Sequence, residues 1–386
     1  MKLTCHFTPF DTWFFRESRP QGSIGSSELA SVFPPPVRTL LGAVRTAIGD
    51  AWHSKHGSNW RDFEKLDGLK ALIGYADDLG PLHCTGPWLT LKGERLYPAP
   101  ATLMTKDDIY FSLTLGSPVH CDLGKVHLPA FPVAVKGLDN LAGAKPATNC
   151  WLTSAGWHAI LAGETPTDEH VVHAHDLFQE EPRLGIGRDN ARSSVMQGLL
   201  YQTRHLRLYP DVGVELELAG LPENLLEKIE LHGNQVIRLG GEGRQAALSI
   251  SPAPARVALA CNAPPPSPQA ILYNLTPVTC AAELPAGVPL GFKPATHKGF
   301  DCWEGQLLGV ELRILSISCN RPLREGGWNM ASHQSRPVES LLPAGSALYV
   351  EAINGDPNTL LCLHQQCCSK DAALGRGHLL LGRIPA

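Results

Sequence analysis

The 386-residue sequence lacks several features that would assign it at once to a class of protein. Charged residues make up only 18% of it, against a typical share of about a quarter. No apolar run approaches the roughly 18 residues that span a bilayer, and residues 1–6 contain no secretory apolar core. These absences argue against a membrane-spanning protein and against a secreted one. We therefore expect a cytoplasmic protein with no membrane partner.

The cysteine pattern and the absence of catalytic motifs narrow the class of protein further. The 11 cysteines are odd in number and scattered, and none forms a C-x-x-C pair, unlike a secreted disulfide scaffold. We expect most of them to be small buried hydrophobic groups. The sequence has no G-x-x-x-x-G-K-[ST] loop, no G-x-S-x-G elbow and no G-x-G-x-x-G turn between a strand and a helix. It therefore contains no clear signature of an enzyme, and we expect no cofactor.

The charge balance leaves room for a local nucleic-acid site. With 33 Lys and Arg against 37 Asp and Glu, the net charge is −4. This value excludes a uniformly basic nucleic-acid binder but allows a basic groove on a neutral body. The 37 glycines and 32 prolines indicate a loop-rich globular protein with short elements. Its length corresponds to roughly two or three domains.

Hydrophobic periodicity predicts the elements of the first part of the chain. Apolar residues alternate with polar ones over 3–7, which predicts a strand that ends at Pro9. After Pro34-Pro-Pro36, apolar residues follow at helical spacing from Val37 to Ile48, which predicts a helix. Ser154–Ala162 predicts a short helix closed by Gly163. We interpret residues from about 50 to 155 as a long insertion of small strands and loops.

The order of elements predicts the fold class. Strands at 199–208, 212–218 and 235–239, with a helix at 222–231, complete a β–α–insertion–β–β–α–β order, which is ferredoxin-like. A proline-rich linker and a second, more degenerate half follow, with strands predicted at 271–275, 307–318, 347–352 and 379–384 and a helix within 357–373. The predicted fold is α+β, with two ferredoxin-like (RRM-like) domains: residues 1–252, which carry the insertion, and residues 253–386.

Two clusters contain metal-ligating residue types. They are His170-Val-Val-His173-Ala-His175-Asp176 and Cys362-Leu-His364-Gln-Gln-Cys367-Cys368. The first differs in order from the metallo-β-lactamase and HD-phosphohydrolase patterns, and the second matches no standard zinc module. We interpret the first as a solvated loop and the second as a partly buried helix face, and we expect no metal.

Arginine stands beside glycine in four stretches, at 183–188, 240–244, 323–328 and 375–378. Glycine lets a backbone approach a polyanion, and arginine can bind phosphate with two hydrogen bonds. Residues 187–194, between two apolar stretches, predict a mobile hairpin tip that carries Arg188 and Arg192. The pattern is typical of RNA or phosphate binding, although ordinary hairpin turns with solvated arginines would give it too.

Ordered motifs extend along nearly the whole chain and resemble one family. They are Asp11-x-x-Phe-Phe-Arg16-x-x-Arg19-Pro20, Phe33-Pro-Pro-Pro-x-Arg38-Thr-Leu-x-Gly42-Ala-x-Arg45, Arg183-x-Gly185, Gly198-x-x-Tyr201, Gly240-Gly-Glu-Gly-Arg244, Leu275-x-Pro277, Gly326-Gly-Trp328 and Pro343-Ala-Gly-Ser346. This series resembles the third subunit of the Cmr complex, the type III-B CRISPR–Cas effector, in the RAMP superfamily close to its Cas-five-like branch. Two features depart from the family pattern: Ser335-Arg336-Pro337 replaces an expected lysine, and the C-terminal glycine loop is short.

The resemblance implies a non-catalytic subunit with two RRM-like domains. It would hold the repeat-derived 5′ tag of the guide RNA and contact the large polymerase-like (cyclase-like) subunit and the first copy of the backbone RAMP subunit. Single-stranded RNA can be bound in this way by phosphate contacts and stacking. The RNA-binding residues that it implies are Arg16, Arg19, Arg38, Arg45, Arg183, Arg188, Arg192, Arg244, Trp328 and Arg336.

Other interpretations stay open at this point. Arg183 could pair with Glu180 or Glu181, Arg16 with Asp11, and Trp328 could belong to the core. The leading alternative function is a RAMP endoribonuclease that processes precursor guide RNA. Such relatives use a histidine general base near the first helix, where this chain has His53 and His56. A metallohydrolase at the His170 cluster is a third class.

Overall fold

The computed structural model describes residues 2–18, 27–122, 124–256, 258–261, 264–279, 288–289 and 291–385, and these form a strand-rich mixture of α and β structure. Residues 2–98 contain β1 (Lys2–Pro9), β2 (Ser27–Leu29), α1 (Val37–His56), a 3₁₀ helix (Trp60–Lys65), α2 (Asp67–Ile73), β3 (His83–Leu91) and β4 (Glu94–Pro98). Residues 103–177 contain β5 (Leu103–Lys106), β6 (Ile109–Ser112), β7 (Thr114–Leu115), β8 (Val119–Cys121), β9 (Gly124–Val126), β10 (Pro129–Ala130), β11 (Lys145–Pro146), β12 (Cys150–Leu152), α3 (Ser154–Ala162), a 3₁₀ helix (Asp168–His170), β13 (Val171–His173) and α4 (Ala174–Leu177).

The second half of the chain is mostly strands. Residues 178–252 contain β14 (Phe178–Asp189), β15 (Ser194–Leu208), β16 (Val212–Ala219), α5 (Leu225–Lys228), β17 (Asn234–Arg238) and β18 (Gln245–Pro252). Residues 269–382 contain β19 (Gln269–Asn274), β20 (Val278–Thr279), β21 (Lys293–His297), β22 (Phe300–Leu307), β23 (Val310–Ser318), β24 (Leu323–Glu325), β25 (Trp328–Asn329), β26 (Gln334–Ser335), β27 (Glu339–Leu342), β28 (Ala347–Ala352), 3₁₀ helices (Pro357–Leu363 and Ala372–Leu374) and β29 (Leu379–Gly382).

The chain folds into two compact units, each built from three segments. Unit 1 comprises Met1–Glu94, His175–Ala255 and Arg324–Glu339. Unit 2 comprises Arg95–Ala174, Arg256–Leu323 and Ser340–Ala386. The units therefore alternate along the sequence, and residues 95–174 belong to the same unit as most of the C-terminal part. The division into domains at 252/253 stays a prediction.

Unit 1 is built on an antiparallel sheet with α1 packed on it. Its strands lie in the order β3–β16–β1–β18–β17. The first strand is central: Cys5 lies opposite Leu216 on one side and Ile250 on the other. The predicted helix is confirmed, since α1 buries its apolar stripe and ends at Gly57 in the left-handed conformation, with φ 62°. This φ is one that glycine adopts without strain.

Unit 2 contains an antiparallel sheet in the order β21–β22–β23–β28–β19–β29. Its core includes Leu272, Leu312 and Val350, each fully buried. The short helix predicted over Ser154–Ala162 is confirmed as α3. The Thr153 hydroxyl accepts a hydrogen bond from Gly156 N, and Gly163 ends the helix at φ 81°. Among the described residues, no helix is both long enough and apolar enough to cross a membrane.

Several predicted elements differ from the observed ones. The helix expected over 222–231 is wrong in length: only the four residues of α5 are helical, because Asn224 and Glu230 adopt φ 61° and 57°. Within the supposed insertion, β3 is a strand of the main sheet of unit 1, next to β16. Strands β14 and β18 went unpredicted, and the stretch 357–373 forms two short 3₁₀ helices.

Candidate nucleic-acid interface

The strands β14 and β15 form a long hairpin, and its turn lies within residues 187–194, where the sequence predicts a hairpin tip. They pair from Phe178 opposite Leu208 to Asp189 opposite Ser194, with a bulge after Ile186. The Asp189 carboxylate closes the turn, since its Oδ1 accepts hydrogen bonds from the backbone N–H groups of residues 191 and 192, at 2.9 and 3.2 Å. The tip side chains Arg188 and Arg192 are exposed, Arg192 by 83%. The hairpin thus presents two guanidinium groups to solvent.

A glycine and a tyrosine from two sequence motifs meet across this hairpin. Gly185 lies directly opposite Tyr201, and a Cβ on Gly185 would lie 2.2 Å from Cζ of the tyrosine ring. The ring therefore lies over the glycine and would have to move if residue 185 carried a side chain. Gly185 and Tyr201, one from each of the motifs Arg183-x-Gly185 and Gly198-x-x-Tyr201, thus form a cross-strand pair.

The opposite face of the hairpin is apolar and exposed. Leu184 and Ile186, two apart on the same strand, point to one face and are 74% and 53% exposed. Leu200 pairs with Ile186 across the strands and is 46% exposed. Large side chains left uncovered in this way are available for contact with another molecule. The sequence indicated these apolar stretches only as the boundaries of the hairpin tip, and their exposure was not predicted.

Three arginines converge on Asp11 at the base of the hairpin. The Asp11 carboxylate accepts hydrogen bonds from Arg183 (3.2 Å), Arg207 (2.9 Å) and Arg244 (3.0 Å). Glu181 accepts from Nε of both Arg183 and Arg207, each at 2.8 Å. The alternative pairing of Arg183 with Glu181 is therefore observed. Three guanidinium groups face two carboxylates, so this Asp11 cluster carries one excess positive charge.

The arginines shift the pKa of both carboxyl groups. For Asp11, partial desolvation raises the pKa, but the hydrogen bonds from Arg183 and Arg207 outweigh it, and the pKa lies below its usual range. For Glu181, the hydrogen bonds from Arg183 and then Arg207 lower the pKa. Both groups are ionised at neutral pH, which keeps the guanidinium groups fixed in place.

Glycines bring two distant motifs together to build this cluster. Gly240 adopts φ 88°, and a Cβ there would lie 2.6 Å from the Phe14 carbonyl oxygen. Gly241 N donates to the same oxygen at 2.7 Å. The turn at 240–243 therefore packs on the backbone of Phe14, and this contact places Arg244 within reach of Asp11. In this loop the glycines permit a contact inside the protein rather than an approach to a polyanion.

His205 lies buried beside the Asp11 cluster. Its Nδ1 is 3.2 Å from Thr12 Oγ1 and its Nε2 is 3.1 Å from Thr203 Oγ1, and its ring stacks on Phe14 with centroids 5.1 Å apart. Burial, followed by the charges of Arg244 and Arg183, lowers its pKa to about 4. His205 is therefore neutral at pH 7 and supports the cluster without adding charge.

A second group of arginines lies along α1. Arg38 Nε is 3.9 Å from a Glu325 carboxylate oxygen, and Arg45 Nη1 donates to the Ala76 carbonyl at 3.2 Å. Arg336 forms an ion pair with Asp77. Burial lowers the pKa of Arg45, an effect that the nearby Asp78 and Asp77 carboxylates oppose. These arginines are held by protein groups as well as being partly open to solvent.

The segment 324–339 carries the predicted aromatic residue. The Ser18 hydroxyl accepts a hydrogen bond from Gly326 N at 2.8 Å and so anchors the segment. Trp328 is 56% exposed and Met330 is 73% exposed, on the small hairpin of β25 and β26. The alternative interpretation, that Trp328 belongs to the core, is wrong because the residue is largely solvent-exposed.

The structure places all the described candidates in unit 1. Arg16, Arg38, Arg45, Arg183, Arg188, Arg192, Arg244, Trp328 and Arg336 all lie there, whereas Arg19 falls outside the described residues. Arg183 and Arg244 meet at Asp11, while Arg188 and Arg192 lie at the hairpin tip and Arg16 is exposed. The predicted RNA-binding residues do not include Arg207, which joins the Asp11 cluster, or Arg204, which pairs with Glu28 and Glu180. Both lie in the strand predicted over 199–208.

The histidines that the endoribonuclease and metallohydrolase alternatives would use make contacts within the fold. His53 is 6% exposed, and its Nδ1 lies 2.8 Å from Ser58 Oγ; His56 Nδ1 lies 2.9 Å from the Trp52 carbonyl oxygen. His173 Nε2 is 3.0 Å from the Tyr110 hydroxyl, and His170 Nδ1 is 3.2 Å from Thr153 Oγ1.

The cysteine cluster and the fourth arginine–glycine loop also make internal contacts. His364 Nδ1 accepts from Leu381 N at 3.0 Å, and its other ring nitrogen lies 2.6 Å from the Leu259 carbonyl. Arg376 is 2% exposed and binds Asp371 at 2.8 Å. In the described part of the chain, no three His, Cys, Asp or Glu side chains gather as metal ligands would.

Comparison with known proteins identifies the family. The family model of the CRISPR-associated protein Cas_Cmr3 matches residues 5–384. The chain belongs to this family. The family predicted from the ordered motifs is therefore confirmed. No curated protein matches the sequence.

Solved structures that the chain is similar to come from related assemblies. One is a chain of the type III-B Cmr-β complex bound to cognate target RNA, at 13% identity and a TM-score of 0.47, covering 90% of this chain and 86% of that one. A second is a chain of the Csm3–Csm4 subcomplex of the type III-A interference complex, at 11% identity and a TM-score of 0.34, covering 90% and 92%. A third is described as a RAMP protein binding different RNA substrates, at 7% identity and a TM-score of 0.28, covering 99% of both chains.

Proposed function

We propose that this Cas_Cmr3-family chain is a non-catalytic, cytoplasmic subunit that holds the 5′ tag of the guide RNA in a type III-B effector. The observation that carries the proposal is the β14–β15 hairpin, with arginines exposed at its tip and apolar side chains exposed along one face. Arginine binds phosphate through paired hydrogen bonds, and exposed apolar side chains pack against unstacked bases. A hairpin with both can bind single-stranded RNA without any catalytic group.

The rest of unit 1 supports the same role. The Asp11 cluster carries one excess positive charge at the base of the hairpin, and Trp328 offers an exposed ring on which a base can stack. Helix α1 begins without a side-chain cap or an acidic residue in its first turn, and Arg38 lies in that turn. The backbone N–H groups in the first turn of a helix attract anions, and the charge of Arg38 adds to this attraction for a phosphate. These features give the RNA several contacts besides the hairpin.

We also propose that both halves of the fold are ferredoxin-like. In unit 1, the chain order β1, β3, β16, β18 corresponds to the spatial order β3–β16–β1–β18. In unit 2, the chain order β19, β23, β28, β29 corresponds to β23–β28–β19–β29. Both follow the spatial order 2–3–1–4 in an antiparallel sheet, which supports the prediction of two such halves.

The proposed partners follow from the family rather than from a surface on the structure. We propose contacts with the large polymerase-like subunit and with the first backbone RAMP subunit, which would complete the RNA groove. In this division of labour, target cleavage and nucleotide cyclisation belong to those partners. The low overall charge of −4 is consistent with a subunit that needs partners to hold RNA firmly.

The alternative, a guide-processing endoribonuclease, needs a positioned general base and acid. His53 is buried against Ser58 and Trp60, and His56 lies against a backbone carbonyl. Neither presents a free imidazole beside a second acid–base group, so the geometry favours binding over cleavage.

One experiment separates binding from catalysis. Purified subunit is incubated with end-labelled repeat RNA, with and without EDTA, and the RNA is resolved on a denaturing gel and by filter binding. We expect binding at low salt and intact RNA in both conditions. Metal-independent cleavage that is lost in His53→Ala would instead establish the endoribonuclease, and EDTA-sensitive cleavage would establish a metallohydrolase.

A further inference from the structure

A groove in unit 1 lies between α1 and the outermost strand β17. It encloses about 440 Å³, and none of the predicted RNA-binding residues lines it. On the helix side it is lined by Ala47 and Ala51, and on the other by Ile229, Leu231 and Ile237. Because alanine side chains are short, the helix side leaves room for an apolar side chain from another molecule. The groove is therefore shaped to accept a side chain.

The edge of β17 offers backbone hydrogen bonds beside this groove. On one side β17 pairs with β18, with Gln235 opposite Leu248 and Ile237 opposite Ala246. Within the described ranges, no strand pairs with its other side. Alternate residues of an antiparallel edge strand direct their N–H and C=O groups away from the partner strand. An extended peptide could add to this edge and satisfy them.

The charges around the groove indicate the chemistry of the occupant. Two carboxylates, Asp50 and Glu230, line it with one ammonium, Lys55. Lys55 forms an ion pair with Glu230, and Asp50 accepts a hydrogen bond from Trp60 Nε1 at 2.6 Å. The excess carboxylate repels RNA phosphates and attracts a lysine or arginine. Protein, not RNA, fits this combination of charge and backbone edge.

We propose that β17 and the adjoining groove bind an extended peptide segment of another protein. The segment would add as a strand to the free edge of β17, place an apolar side chain against Ala47 and Ala51, and set a basic side chain near Asp50. Backbone hydrogen bonds would give affinity, and the groove would give specificity. The proposal does not depend on the proposed RNA role, because the two sites share no residue.

The test uses the effector complex purified with all its subunits. The photo-cross-linker p-benzoylphenylalanine replaces Gln235, which lines the groove and lies on the same face of β17 as the buried Ile237. We expect irradiation to join it to one segment of a different polypeptide, located by mass spectrometry. In parallel, hydrogen exchange at residues 234–238 should slow at least tenfold in the complex relative to the free subunit.

Matched variants distinguish the groove from a general surface. Ala51→Trp fills the groove and should reduce the cross-link at least tenfold, whereas Thr46→Trp, an exposed position on α1 outside the groove, should leave it unchanged. If Ala51→Trp melts below the wild-type subunit, Glu230→Lys tests the charge instead and should reduce the cross-link several-fold. Cross-linking only to RNA, to a second copy of this chain or to nothing would overturn the proposal. Equal cross-link yields in wild type and Glu230→Lys would also overturn it.

Discussion

Gly240 and Gly42 belong to the same unit but are glycine for different reasons. Gly240 has no space for a side chain, because it adopts φ 88° and a Cβ there would lie 2.6 Å from the Phe14 carbonyl oxygen. Gly42, exposed on α1, has nothing within 4 Å of that position. Glycine inside a helix costs stability relative to alanine because its backbone loses more freedom on folding. The two positions therefore predict opposite effects of the same substitution.

Gly240→Ala should lower the free energy of unfolding of the isolated subunit by about 1–3 kcal/mol, because the methyl group would clash with the Phe14 carbonyl and the left-handed backbone strains an alanine. Gly42→Ala should raise it by about 0.5–1 kcal/mol. Urea unfolding followed by circular dichroism measures both. Two shifts of the same sign would contradict this explanation of the motifs.

The individual arginines show how far residue-level prediction extends. Their type and neighbourhood indicated an anionic partner, and the structure describes eight of the nine candidate arginines, all in one unit. Of their protein partners, the sequence suggested the nearby Glu181 for Arg183 but not the distant Asp11. Arg183 and Arg244 meet Asp11 across 172 and 233 residues of sequence, and only the paired strands bring them together. For the same reason Arg207 was missed, although its strand was predicted.

At the scale of elements, local sequence patterns predicted the helices and strands that have a strong hydrophobic periodicity or clear capping residues. The apolar stripe of α1 and the Thr153 and Gly163 caps of α3 are such signals. Strand β14 was missed because Pro182, Gly185 and Gly187 interrupt its pattern, and its apolar residues point outward. Strand β3 was missed because Gly86-Pro87 breaks its apolar alternation. Both strands are specified by their partners, β15 and β16, rather than by local propensity.

The element β15 carries a buried titratable group that makes stability depend on pH. His205 has a pKa of about 4 in the folded chain, against about 6.5 when unfolded. Between these values the unfolded state binds more protons than the native state, so the free energy of unfolding falls as pH drops from 6.5 towards 4. Burial lowers the pKa of His364 in unit 2 as well, and this adds to the same trend.

His205→Gln should therefore flatten part of this pH dependence. Between pH 7 and pH 5 the wild-type subunit should lose on the order of 1–2 kcal/mol more unfolding free energy than the variant. Urea unfolding at pH 7, 6 and 5 measures the difference, with His175→Gln, an exposed position, as the control. If the free energy of unfolding depends on pH in the same way for wild type and His205→Gln, this histidine is not held neutral by its site.

For the whole molecule, the charge distribution predicts how RNA binding depends on salt and on partners. The net charge is −4, and many of the arginines of unit 1 already contact carboxylates. Association of the isolated subunit with RNA would therefore rest on electrostatic contacts between exposed arginines and phosphates, which weaken as salt rises. We expect the isolated subunit to bind repeat RNA weakly, with an affinity that falls steeply from 50 to 200 mM salt.

Fluorescence anisotropy of labelled repeat RNA over this salt range measures that dependence for the subunit alone and for the assembled complex. Only the complex should bind tightly at 200 mM salt, because the partner subunits would complete the groove. Salt-resistant nanomolar binding by the isolated subunit would contradict this prediction, because its own surface would then bind RNA tightly without partner subunits.

The hairpin tip provides the most direct test of the proposed function, since Arg188 and Arg192 are exposed and contribute little to the fold. Arg188→Ala/Arg192→Ala should leave the melting temperature of the subunit within about 2 °C of wild type. The control variant Arg321→Ala/Arg383→Ala removes the same charge from exposed positions in unit 2.

The decisive measurement is the amount of guide RNA that co-purifies with the complex containing each variant. Loss of two charge-assisted contacts predicts that the tip variant retains at least tenfold less guide RNA than wild type, and that the control variant retains a wild-type amount. A wild-type amount of guide RNA in the tip variant, or an equal loss in both, would contradict the proposal that this hairpin holds the guide.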